Sequence, residues 1–578
     1  MIDNFKVLQK YQFLLYFIVF LLIAAFVFRD LLFHLQTNLP DWLDYALVNW
    51  VIFQNIEKII SFQFANFFNT NAFYPHPYTL LFADTFIPQS LLTLPTYLLT
   101  HQVILSFNIT FFLTIILNYI SSYVFWKEIF KRPSLAFLGA LFISFSPFFH
   151  LESSHFQMLS LWPFFFSIYF LFKHLRTNSK LNLVLSGFFL ATEFLASVYF
   201  AVFLILTILL WLVVNLLFER NYSKVLVSFL IIFSVFILID GVVIEKYSEM
   251  KNFYHIKRDL KEYVTYSAQL SDYLFSTPIN SLVHKSAVLN KWNSFDRNII
   301  GGKAAFPGFL LITLSLLGLL KFLKQKGQIQ LAINLDKERL FFLLLILIGL
   351  LFSLGPRLSF NGNYAYIPTP YTFLIKIIPL LEATRVVARW SFLFYLGIIF
   401  FALKFLQNQL NNKHFKYLIL ITLVILFLEY LPLNITTHTE NYVNAQYQTI
   451  KDLCYPNKKV LLEIPVTHLA VAQGIGEGVN YISKVELSST YHGCYLVNGY
   501  SGYDMPELFK LQSDIDNLLL TQNTEALIKE LKSYQVDIIK INSSYVVAEQ
   551  KIPTKLFEMQ LDHSSLVVRI DQGLYKIK

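Results

Sequence analysis

The stretch YQFLLYFIVFLLIAAFVF, residues 11–28, decides the class of fold. As a helix rising 1.5 Å per residue it is about 27 Å long, close to the hydrocarbon thickness of a bilayer. It is too long for the apolar segment of a cleavable leader and ends in no small-residue cleavage pattern, so it reads as a retained span. Working outward, comparable apolar runs recur near 12–33, 103–126, 134–148, 157–173, 181–197, 199–217, 225–244, 304–323, 339–355, 388–406 and 416–433. The length criterion therefore predicts about eleven spans. The run FIPQSLLTLPTYLLT at 86–100 is shorter and is interrupted by Pro88 and Pro95, so it reads as interfacial or re-entrant.

Composition agrees with a polytopic α-helical membrane protein. Of 578 residues, 56% are hydrophobic and only 14% charged, with 60 Phe and 33 Tyr, more aromatic surface than a soluble core of this length uses. The net charge of +9 does not indicate nucleic acid. Its Lys and Arg residues lie in the short loops KEIFKRP, KHLRTNSK, ERNYSK, KFLKQKG with LDKER, and NQLNNKHFK. Those loops alternate along the chain, as a positive-inside bias requires. The bias predicts an inside N-terminus, an odd number of spans and an outside C-terminus in a multi-pass protein of the cytoplasmic membrane.

Long outside segments are then expected at 34–102, 245–303 and 357–387, within a membrane body of residues 1–433. The remainder, 434–578, alternates strand-like runs (KVLLEIPV, VDIIKIN, SLVVRI) with the helix-like TEALIKELKSYQ. That pattern predicts a small extracytoplasmic α/β domain. Both cysteines, Cys454 and Cys494, fall inside it. They are either a disulfide of an oxidising compartment or two buried thiols, and we expect the pair to be bridged.

Ionisable groups in or beside apolar spans are costly and need a reason. In DWLDYALVNW, residues 41–50, Asp41 and Asp44 share one side of a helix, and Asn49 and Trp50 follow. The bland reading is an interfacial helix anchored by Trp42 and Trp50. Glu193, in FFLATEFLASVYF near the outside end of a span, reads as facing a polar cavity, against a snorkelling carboxylate. The loop holding His150, Glu152 and His155, with Gln157 after it, offers imidazole and carboxylate for a divalent metal or a phosphate-bearing group. Its alternative is an ordinary polar loop, as it is for Asp84 in LLFADTF. Arg385 and Arg389 in EATRVVARW suit a phosphate or pyrophosphate, against an interface anchor or an ion pair with Glu382. No GxSxG, P-loop, HExxH or GxGxxG arrangement supports serine-nucleophile or nucleotide chemistry.

Several segments together resemble a family of bacterial membrane proteins in the GT-C glycosyltransferase superfamily. Asp44, Asn49 and Trp50 resemble its first-loop pattern. AFYPHPYTLLFADTFIPQSLLTLP is similar to its second segment through Tyr74, Pro75, His76, Thr79 and Asp84. SFSPFFHLESSHFQMLSLWP resembles its next signature through His155, Gln157, Trp162 and Pro163. YSAQLSDYL, LGPRLSF, IPTPY, RVVARW, LLEIPV and YLVNGYSGY extend the likeness over nearly the whole chain.

The resemblance implies an inverting transfer of a sugar from a polyprenyl-phosphate donor, held in the lipid bilayer, to an extracytoplasmic acceptor that is a glycan, a lipid or a protein. It implies Asp44, and after it Asp41, as a carboxylate base or metal holder. Glu193, Asp84, His155, Gln157, Arg385, Arg389 and Asn49 would contact substrates, and a divalent metal is the only cofactor in view. Kinship of fold does not establish chemistry. A transporter or flippase of a lipid-linked or polar substrate, and a catalytically silent envelope assembly protein, stay open as alternatives.

Overall fold

The computed structural model describes residues 2–40, 44–274, 305–324, 336–360, 363–377, 379–409, 415–432, 437–439, 442–471, 475–542, 546–547 and 552–578. The chain divides into two compact units. One comprises Met1–Phe33, Phe111–Ile244 and His255–Ile435; the other comprises His34–Thr110, Glu245–Tyr254 and Thr436–Lys578. The first loop, 34–102, thus belongs with the C-terminal region, a grouping that a linear boundary at 433/434 does not contain.

The first unit is helical. Each of the eleven apolar runs contains a helix, from Ile2–Val27 to Phe415–Tyr430. Among the described residues, six helical stretches are long and apolar enough to cross a membrane: Val103–Phe130, Pro133–His150, Phe156–Thr177, Val198–Glu219, Tyr222–Phe253 and Val387–Gln407. Helix starts follow local chemistry. Pro133 and Pro147 open their helices, where a missing N–H costs nothing. Asn178 ends the Trp162–Thr177 helix in the left-handed conformation at φ 54°.

Glycines let the helices approach closely, since lipid offers no hydrophobic drive to pack them. A Cβ on Gly349 would collide with the backbone of Phe394, and one on Gly397 with Ile346. The Lys337–Ser353 and Ser391–Gln407 helices therefore meet backbone to backbone.

The second unit is built on a five-stranded sheet. Its strands are β1 (Val460–Ile464), β2 (Tyr495–Leu496), β3 (Ile538–Ile541), β4 (Val567–Asp571) and β5 (Leu574–Ile577), in the order β4-β5-β3-β1-β2. β1 is parallel to both β2 and β3, while β5 is antiparallel to β3 and β4. Every residue of β1 is buried, as a central strand covered on both faces must be. The three strand-like runs of the sequence become β1, β3 and β4, and TEALIKELKSYQ becomes the Thr524–Ser533 helix.

Cys454 and Cys494 are bridged, with Cα atoms 5.6 Å apart. Closing a loop of that span, 40 residues, is worth about 4 kcal/mol on the chain-entropy scale. Beside the bridge, the buried His492 accepts the Cys494 N–H at Nδ1 (3.2 Å) and stacks on Tyr447 at 5.6 Å. Burial, with the charge of Lys540 adding to it, lowers the His492 pKa to about 3. The ring is neutral and carries its proton on Nε2.

Candidate functional site

In the second unit the first-loop helix, Tyr45–Ile60, begins immediately after Asp44. Asp44 is half-buried and its side chain does not cap the helix. The positive end of the helix dipole favours a carboxylate at that position. Asp41 lies outside the described residues.

The helix is held by its polar side chains. Trp50 donates its indole N–H to Asn71 Oδ1 (2.9 Å), and Gln54 Oε1 accepts the Asn71 N–H (3.1 Å). Asn55 Nδ2 donates to the Thr85 carbonyl (2.7 Å) and to Ser90 Oγ (2.9 Å). Lys58 Nζ donates to the carbonyls of Asn66 (3.0 Å) and Phe67 (2.7 Å). Asp84 is pinned on both sides, since the Ala83 carbonyl accepts from Tyr247 Oη (2.9 Å) and the Thr85 carbonyl accepts from Asn55. The Asp84 segment is therefore brought against the helix that starts at Asp44.

Asn49 is different. It is fully buried, and neither its Oδ1 nor its Nδ2 has a hydrogen-bond partner among the described residues. It shares a helix face with Tyr45, which packs edge-on against Phe107, and with Phe53, which does the same against Tyr97. A buried amide with both functions open costs about 1–3 kcal/mol unless something outside the described residues answers it.

The other sequence candidates belong to the first unit. Glu152 is fully buried, and its Oε2 accepts from Arg389 Nε (3.1 Å) and Nη2 (2.9 Å) and lies 3.3 Å from His155 Nδ1. Burial pushes the Glu152 carboxyl up, but the Arg389 guanidinium and then His155 more than reverse this and hold it at about 2. Arg389 also lies over the Tyr199 ring at 4.8 Å. Arg385 is partly exposed, lies over Tyr266 at 5.2 Å and sits 3.8 Å from Glu262. The two arginines thus pair with Glu152 and Glu262, neither of which the sequence suggested as a partner. Gln157 Oε1 is buried with no partner among the described residues.

Glu193 is fully buried, and its Oε2 accepts the Phe164 N–H at 2.7 Å, in the first turn of the Trp162–Thr177 helix. A buried carboxylate at a helix N-terminus meets open N–H groups and the positive end of the dipole. Glu429 does the same for the Phe309–Lys324 helix, accepting from the amides of Phe309 and Leu310. This capping role was not weighed for Glu193 in the sequence.

The sequence reading also passed over Asp240. It lies on the buried stripe of the Tyr222–Phe253 helix with Ile232 and Phe236, and neither of its oxygens has a partner among the described residues. A lone acid inside a long apolar run was the available signal. As for a metal, no group of three or more His, Cys, Asp or Glu gathers among the described residues. No step below depends on a divalent ion.

Residues 13–429 match the model of a family described as a domain of unknown function, DUF6311. The chain belongs to this family. No curated protein matches it. Among solved structures it is similar to the arabinofuranosyltransferase AftD from Mycobacteria, at 12% identity and a TM-score of 0.56, over 91% of this chain and 37% of that one. This DUF6311 member therefore spans well under half of the length of AftD. It is also similar, at a TM-score of 0.47 and 12% identity, to the Archaeoglobus fulgidus oligosaccharyltransferase, over 92% of this chain and 69% of that one. Both are GT-C membrane glycosyltransferases. The likeness to AftD gives this chain the GT-C fold, in agreement with the resemblance drawn from its sequence.

Proposed function

We propose that this protein is a membrane glycosyltransferase that moves a sugar from a polyprenyl-phosphate donor to an extracytoplasmic glycan, lipid or protein acceptor. The observation that carries this reading is Asn49, a buried amide with both functions open on the helix that begins at Asp44. An amide recognises a hydroxyl by donating and accepting at once, as sugar binding requires. In this reading all eleven apolar helices span the bilayer, the N-terminus is inside, and the C-terminal region is an extracytoplasmic α/β domain.

In the transfer step Asp44 takes the proton of the acceptor hydroxyl as its oxygen attacks the anomeric carbon. The bond from that carbon to the phosphate oxygen breaks on the opposite face, so configuration inverts and the phosphate leaves with the electron pair. Arg389, with Glu152 and His155, holds the 149–157 loop that carries Gln157.

One observation favours transport instead. Asp240 is an intramembrane acid without a partner among the described residues, a common mark of a substrate or proton path. Proteoliposomes loaded with labelled polyprenyl-phosphate sugar separate the two readings. The transferase consumes donor and releases an inverted glycoside, and Asp44→Asn lowers the rate on the order of 10²–10⁴-fold. Donor that crosses the bilayer intact contradicts the transferase and supports the transporter.

A further inference from the structure

In an open α/β sheet, ligands bind in the crevice beyond the carboxyl ends of the strands, where neighbouring connections leave in opposite directions. β1 is such a strand. The chain leaves it for β2 on one side, then crosses to β3 on the other. Asn498, just beyond β2, shapes the rim: its Oδ1 accepts the Glu463 N–H (2.8 Å), and its Nδ2 donates to the carbonyls of Glu463 (2.8 Å) and Val466 (3.2 Å).

The end of β2 beside that crevice is covered from within the same unit. A Cβ on Gly499 would collide with the ring of Phe73, and one on Gly502 would come 2.8 Å from the Phe82 carbonyl oxygen. Phe73 and Phe82 pack edge-on at 5.3 Å, and Phe82 meets Tyr503 at 5.1 Å. Main-chain bonds lay the segment along β2. The Phe73 N–H donates to the Asn498 carbonyl (3.0 Å), the Tyr74 N–H to the Leu496 carbonyl (2.8 Å), and the Leu496 N–H to the Asn71 carbonyl (2.6 Å).

Asn71 links this seat to the first-loop helix. Its Nδ2 donates to the Cys494 carbonyl (3.1 Å), while its Oδ1 and N–H hold Trp50 and Gln54 on two successive turns of the Tyr45–Ile60 helix. Cys494 is itself fastened by the disulfide. Two fixed turns set both the axis and the rotation of that helix, and with them Asp44 at its start.

We propose that the strand-end crevice of the C-terminal sheet is a docking site for the chain's own first loop, with Asn71 as the positioning residue for the helix that carries Asp44. Phe73 and Phe82 cover the segment just beyond β2. The C-terminal region then serves transfer by holding the base in place rather than by binding substrate in this crevice. That last step rests on the transferase reading; the docking does not.

The test uses the full chain in lipid nanodiscs, with Asn71→Ala and Gly499→Ala. The first removes the side-chain link, and the second crowds the Phe73 ring without removing any hydrogen-bonding group. Hydrogen exchange is followed at residues 45–60 and, as an internal control, at β3. The expected result is at least about tenfold faster exchange at 45–60 with β3 unchanged, and a kcat lower on the order of 10- to 100-fold at unchanged KM for donor, as misplacement of a catalytic group produces. Unchanged exchange at 45–60 in both variants overturns the docking, as does loss of protection at 45–60 and β3 together. A loosened helix with full turnover overturns the positioning role. If the wild type transfers no sugar, the transferase reading fails, while the exchange comparison still decides the docking.

Discussion

Glu193 and Asn49 are both fully buried on helices, yet the chain treats them in opposite ways. Glu193 has the Phe164 amide at 2.7 Å, as Glu429 has the amide of Leu310 at 2.9 Å, and Glu152 has Arg389. In the first-loop helix Trp50, Gln54, Asn55 Nδ2 and Lys58 each have a partner within 3.1 Å, but among the described residues Asn49 has none at either amide atom. Buried polar groups are almost always paired, and this helix shows that its own polar residues can be. The deficit at Asn49 is therefore local, and it separates a side chain that builds the fold from one kept for something else.

The largest stability effect belongs to the buried ion pair of Glu152 and Arg389. Arg389→Ala leaves Glu152 buried with its main partner gone, and unfolding free energy should fall by about 3–5 kcal/mol. The pH sign follows from the depressed Glu152 pKa. The pair contributes fully above the ordinary glutamate value near 4.3, and its contribution fades as pH falls toward about 2. Chemical denaturation of both proteins at pH 7 and at pH 3 should show the gap narrowing in acid. A gap of equal size at both pH values would remove Glu152 as its source.

His492 stands between the two cases, answered at Nδ1 by the Cys494 amide. Nε2 has no partner among the described residues. Because its folded pKa is depressed to about 3, the unfolded chain binds the proton first on acidification. Stability present above about pH 6.5 should therefore be lost progressively as pH falls toward 3, by a few kcal/mol in all. His492→Gln should make the slope between about pH 6.5 and 5 shallower than in the wild type. Identical slopes would mean that other groups titrate there.

Glu193→Leu should cost about 1.5–3 kcal/mol, the scale of a hydrogen bond to a charged acceptor. Exchange at the Phe164 amide should rise with it. Unchanged protection at Phe164 would show that the cap is dispensable.

What could be read from the sequence divides along the same line. Each apolar run contains a helix, and run length alone reports that. KVLLEIPV, VDIIKIN and SLVVRI declared their strands, and the confinement of Cys454 and Cys494 to one region foretold their bridge. The site was less legible, because its partners are remote. Glu152 and Arg389 lie 237 residues apart, and Asn71 lies 423 from Cys494. No local pattern announces such pairs, so Arg389 read as a phosphate ligand and Glu193 as a cavity acid. Asp240 was visible as an acid in an apolar run and was missed.

The smallest stability change tests the central claim most directly. Asn49→Leu keeps the number of side-chain heavy atoms and removes two polar atoms that have no partner among the described residues. The account predicts unfolding free energy unchanged or raised by about 1 kcal/mol, because none of the described residues loses a partner. It also predicts that sugar transfer from the polyprenyl-phosphate donor falls at least about tenfold, the cost of one lost hydrogen bond at about 1.4 kcal/mol per decade. A variant that loses stability while transferring sugar at the wild-type rate would show that Asn49 serves the fold, and the distinction between the two regions would fall with it.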